Sequence, residues 1–141
     1  MPDPEMIAAR DTLKREAKCL LYANHEIPDD EDIPLLNLVD AAWMIAEAKG
    51  FHDDMPGDRI GTLVRLAFIH TEVSEAIDPI KKRGMEGKQE CLLELADVVI
   101  RVFDLVGTLD ASIAFQKVLR EVMLANLERP DKYGTPGQNQ G

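Results

Sequence analysis

At 141 residues, 45% apolar and 30% charged, the chain is long enough for one domain with its own core and too rich in Leu, Ile and Val to stay disordered. A formal charge of -10 argues against binding nucleic acid or an anionic membrane, which needs basic patches. No segment reaches the roughly 18 apolar residues of a membrane span, and the start MPDPEMIAARD lacks the basic-then-apolar order of a secretion signal.

The expected location is therefore cytoplasmic. The two cysteines, Cys19 and Cys91, have no C-x-x-C spacing and are expected as buried free thiols.

The spacing of Ile7, Ala8, Leu13, Ala17, Leu20 and Leu21 predicts an amphipathic helix from Pro4 to about Asn24, with Asp3 as N-cap. HEIPDDEDIP, with two prolines and four consecutive acids, reads as a linker, which sets residues 1–34 apart as an N-terminal helix and acidic linker. A second helix, LLNLVDAAWMIAEAK, follows Pro34 and ends at Gly50. Its Trp43, the only tryptophan, is expected as a core or interface anchor, with a base-stacking platform as the alternative. In the loop FHDDMPGD, His52 is expected to be exposed and without a role, ligand contact being the alternative.

A third helix is expected from Asp58 as N-cap, with Pro79 either kinking it or stopping and restarting it. Lys81, Lys82 and Arg83 then form either a solvated basic helix end or a lip whose cations meet phosphates. A fourth helix runs from Gly87 to about Gly107, and a fifth, capped by Asp110, offers Ile113, Phe115, Val118, Leu119, Val122, Met123 and Leu127 for burial. Residues 135–141 read as a flexible tail. No strand pattern or internal repeat is present, and the chain reads as all-α, an antiparallel bundle of about four core helices plus the N-terminal one.

Two acid pairs stand inside the apolar text of the third and fourth helices: Glu72-x-x-Glu75 and Glu94-x-x-Asp97. A helix advances about 100° per residue, so acids three apart share a face. Arg65 lies on the first stripe, and Arg101 and Asp104 on the second. If the two helices are antiparallel neighbours, four carboxylates converge, and their burial and repulsion call for a cation. A hard divalent ion with oxygen ligands, Mg²⁺ with Mn²⁺ as substitute, suits carboxylates plus phosphate.

An E-x-x-E pair, a second pair E-L-A-D starting 19 residues after Glu75, a further helix, then N-x-x-R-P and Y-G resembles the MazG-like all-α nucleoside triphosphate pyrophosphohydrolases over Leu35 to Gly134. The resemblance implies a catalytic unit over residues 35–134, a homodimer or dimer of dimers, and a house-cleaning role in the nucleotide pool. It implies cleavage of a nucleoside triphosphate to monophosphate and pyrophosphate by water attack at the α-phosphorus. Carried over, Glu72, Glu75, Glu94 and Asp97 match the metal ligands, and Glu72 or Glu75 would accept the water's proton.

Asn126, Arg129 and Pro130, then Tyr133 and Gly134, match segments near the nucleotide in relatives. Arg101, Lys82, Lys132 and Trp43 complete the candidate substrate-binding set. Thr71 stands where the family often has an acid, and Val122 where it often has a lysine, which leaves Arg65, Lys82, Arg101, Lys117 or Lys132 for phosphate contacts.

Two other readings remain. A ferritin-like di-metal bundle needs Glu-x-x-His, which neither pair supplies; His70 is expected in the core or an interface. A non-catalytic helical dimer would keep the acid stripes for salt bridges with Arg65 and Arg101.

Overall fold

The computed structural model describes residues 3–21 and 33–129 of the chain. Among them it is all helical: α1 (Pro4–Leu21), α2 (Leu35–Ala48), α3 (Asp58–Arg83), a single 3-10 turn (Gly84–Gly87), α4 (Lys88–Thr108) and α5 (Ser112–Glu128). No described helix is long and apolar enough to cross a membrane. Asp3 caps α1 as its sequence indicates, its Oδ1 accepting from the Glu5 N–H at 3.1 Å.

The framework is a pair and a hub. α3 and α4, joined by four residues, pack side by side, and their partners run in opposite order: Glu72 meets Arg101, while the later Arg83 meets Glu90. That order makes them antiparallel. α2 is the hub, touching α1, α4 and α5. Its small buried side chains, Ala41, Ala42, Ala46 and Ala48 around Val39, let its neighbours approach closely. α1 lies along α2, held by buried Ala17, by an Arg10–Asp53 ion pair of 2.5 Å and by Asn37 Nδ2 donating to the Leu20 carbonyl at 3.3 Å.

Two helix ends are built alike. After α2, Gly50 adopts φ +81°, its N–H bonding the Glu47 carbonyl and that of Phe51 bonding Ala46. This double bond closes the helix and throws the chain back over it. After α4, Asp110 takes the same left-handed role at φ 53°, its N–H bonding Gly107 and that of Ala111 bonding Val106. Asp110 therefore ends α4 instead of capping α5, whose N-cap is Ala111 with no side-chain bond.

Asp58 departs from expectation as well. It is the first residue of α3 at φ 51°, and Gly57 holds the cap position. The helix then runs unbroken through Pro79 to Arg83. One backbone bond is lost there, and Gly87 of the 3-10 turn packs closely on the Pro79 carbonyl.

Burial is the main correction. α4 is apolar around its acid pair, yet only Leu105 and Val106 are buried, because among the described residues it packs on α2, α3 and the 3-10 turn and only briefly on α5. No residue of α5 is buried, and Ile113 is 77% and Leu127 80% exposed, since among the described residues α5 touches only α2 and α4. Cys19 is exposed and Cys91 half-buried, not fully buried, and His70 is exposed. For Cys19 and His70 the reason is the same: one side of α1 and one side of α3 have no neighbour among the described residues.

Gly107 marks where α4 meets α2. A Cβ there would stand 2.8 Å from the Trp43 Cβ and 2.9 Å from its ring. Gly107→Ala should gain about 1 kcal/mol of helix propensity and lose about 1–3 kcal/mol to overpacking. The expected outcome is net destabilisation with altered Trp43 emission, measured by urea unfolding followed through that fluorophore.

Candidate functional site

The antiparallel pairing brings the acid pairs of α3 and α4 face to face. Oxygens of Glu72, Glu75 and Glu94 all lie within 4.8 Å of one another. Two oxygens on one Mg²⁺ at its usual bond lengths are at most about 4.2 Å apart, so small side-chain shifts bring this set onto a single ion. The donors are all hard carboxylate oxygens, which fits such an ion. Asp97, the fourth expected ligand, lies outside this cluster and lines a cavity beside Glu72.

Charge at the cluster is partly offset. Arg101 Nε donates to Glu72 Oε1 at 2.9 Å, and the Glu72 side chain is only 12% exposed. Among the described residues, no cation pairs with Glu75. Its carboxyl is held above the ordinary carboxylate value, first by a hydrogen bond with Glu72 and repulsion from it, then by lost hydration and by the charges of Glu94 and Asp97.

On the Glu72 side, a cavity of about 210 Å³ is lined by Ile45, Ala46, Phe51, Glu72, Asp97, Ile100, Arg101 and Asp104. A second of about 260 Å³ adds Met55, Arg65 and Phe68 to the shared Phe51, Arg101 and Asp104. The Arg101 guanidinium stands 5.4 Å from the Phe68 ring centre and 6.0 Å from that of Phe51, within cation–π range. Apolar faces, a stacking arginine and carboxylates thus meet in one place.

On the Glu75 side, a cleft of about 430 Å³ is lined by Glu75, Asp78, Pro79, Lys82, Arg83, Glu90 and Glu94. Lys82 Nζ donates to Asp78 Oδ2 at 2.8 Å, and Arg83 pairs with Glu90 across the 3-10 turn. These contacts lower the carboxyls of Asp78 and Glu90 and raise the Arg83 guanidinium.

His52 corrects the sequence reading. The turn at Gly50 swings it under the loop, where Nδ1 faces Glu47 and Nε2 lies 2.6 Å from Asp104 Oδ1, with 12% of the side chain exposed. It ties α2 to α4 and fixes Asp104 at the cavity wall. Glu47 and this use of Asp104 were not foreseen, although Asp104 does continue the Asp97 stripe. Trp43 packs on Gly107 and lies 5.5 Å from the His52 ring, a half-buried anchor at the α2–α4 contact.

Asn126 and Arg129 stand at the end of α5, which makes no contact with α3. Within one chain they are not among the residues lining the acid cavities. Lys132, Tyr133 and the neighbouring Pro130 and Gly134 lie outside the described residues.

The raised Glu75 carboxyl carries a stability prediction. Its pKa in the fold exceeds that of the unfolded chain, so its contribution is present below the ordinary carboxylate value and lost as pH rises through the raised one. In chelator the melting temperature should fall across that window. Glu75→Gln should flatten the fall and melt higher than the parent at neutral pH, as followed by circular dichroism.

No family model, curated protein or solved structure matches this chain.

Proposed function

We propose that the chain is a Mg²⁺-dependent nucleoside triphosphate pyrophosphohydrolase, cleaving a nucleoside or deoxynucleoside triphosphate to monophosphate and pyrophosphate. The observation that carries this reading is the convergence of Glu72, Glu75 and Glu94 from two helices within 4.8 Å. It stands beside a cavity where Phe51 and Arg101 can take a nucleoside. The resemblance of the acid pairs to the MazG-like enzymes supplies the reaction class. House-cleaning of the nucleotide pool is the corresponding role.

Phosphoryl and nucleotidyl displacements ask a protein mainly for positioning and charge neutralisation. When bound, the ion would screen the phosphates and acidify a coordinated water. Glu72, Glu75 and Glu94 would hold it, with Asp97 one turn beyond Glu94. Glu72 or Glu75 would take a proton from that water. Arg101 supplies positive charge on the nucleoside side, and Asp104, tied to His52, an acceptor in the same wall.

One observation favours a second reading: the Arg101–Glu72 ion pair spans α3 and α4 as a structural staple would. In that reading the bundle is a non-catalytic dimer. Both readings share an oligomer, because the exposed apolar faces of α3, α4 and α5 form the kind of surface that partners cover. A homodimer or dimer of dimers would also allow a partner's α5 to approach the acids.

The readings separate on incubation with Mg²⁺ and a panel of canonical and modified nucleoside triphosphates. Pyrophosphate, not phosphate, is the expected product. Glu75→Gln and Asp97→Ala should each lower kcat/KM by at least about 10²-fold while the circular dichroism stays helical. Full activity in either variant would remove that residue from the site, and no turnover by the parent on any nucleotide would favour the staple.

A further inference from the structure

The cleft on the Glu75 side has no assigned role, and its charge balance is informative. Its walls hold four carboxylates, Glu75, Asp78, Glu90 and Glu94, against two cations, Lys82 and Arg83. Without metal it is net negative and repels a polyphosphate. One divalent ion at Glu75 and Glu94 brings it to neutrality, and both cations are already in the wall. They are held by exposed ion pairs, Lys82 with Asp78 and Arg83 with Glu90, and such pairs contribute little stability. A phosphate group carries more charge than one carboxylate and accepts the two-pronged contact that an arginine offers.

We propose that this cleft receives the metal-bound pyrophosphate end of the substrate, and that Arg83 exchanges Glu90 for a phosphate oxygen as it arrives. The proposal rests on the pyrophosphohydrolase reading and gives the substrate a direction. The nucleoside lies on the Glu72 side by Phe51 and Arg101, the α-phosphorus at the acids, and the two leaving phosphates toward the 3-10 turn. Glu75 and Lys82 are seven residues apart on α3, about 10 Å of helix, a gap spanned by the phosphates and a long cationic side chain. Lys82 exchanges Asp78 in the same way. Glu90 is then a competitor for Arg83, a placeholder that keeps the cation in position while the cleft is empty.

The test is calorimetric titration of the full chain with inorganic pyrophosphate, with and without Mg²⁺. The parent should bind only with Mg²⁺. Arg83→Ala should weaken binding about tenfold, the scale of one charge-assisted contact, and Arg83→Lys should recover part of that loss. Glu90→Gln is the decisive variant: it should tighten binding, because Arg83 is released from its competitor, while a purely structural Arg83–Glu90 pair would leave affinity unchanged or weakened. Affinity indifferent to Arg83, or unchanged or weakened by Glu90→Gln, overturns the proposal. Failure of the underlying reading looks different, with the expected pyrophosphate pattern but no nucleotide hydrolysed.

Discussion

Repulsion among carboxylates is the constraint on which the rest of the molecule depends. Glu72, Glu75 and Glu94 are forced together by the packing of α3 on α4, not by attraction among themselves. The packing has to supply what the charges oppose. Arg101 relieves Glu72 alone, and the strain falls on Glu75, whose carboxyl holds its proton more tightly than an ordinary glutamate. The proposed cation clamp would use all three acids, whereas a staple needs one acid for one arginine.

Around this point the two ends of the α3–α4 pair differ in chemistry. Toward the middle of α4, the chain reversal at Gly50 delivers Phe51 and His52 from α2, and His52 secures Asp104. The result is a wall of aromatic rings, an arginine and a carboxylate. Toward the 3-10 turn the wall is ionic, with cations already paired to acids. The proposed nucleoside triphosphate, aromatic at one end and polyanionic at the other, would match this asymmetry.

Much of this was legible in the residues. Acids three apart on apolar helices joined by a short connection have to share a face and meet, and Glu72, Glu75 and Glu94 do. Asp97 is on the right face, but its position relative to the other three depends on how the two helices are set against each other, which helical spacing does not specify. His52 was misread because its partners, Glu47 and Asp104, come from two helices, one of them 52 residues away, and a loop histidine carries no sign of such contacts. Asp110 was misread because aspartate serves both as N-cap and in the left-handed position that ends a helix. The apolar face of α5 was read as core because hydrophobic spacing marks a surface to be covered without saying whether the same chain covers it.

The central claim is that the acids of α3 and α4 form a cation clamp. Its most direct test is electron paramagnetic resonance of Mn²⁺ titrated into the chain, which counts free ion against bound. The expected result is saturable binding that Mg²⁺ displaces and that Glu94→Gln, with its helical fold intact, abolishes. Mn²⁺ that stays free, or binds the variant as well as the parent, would contradict the account.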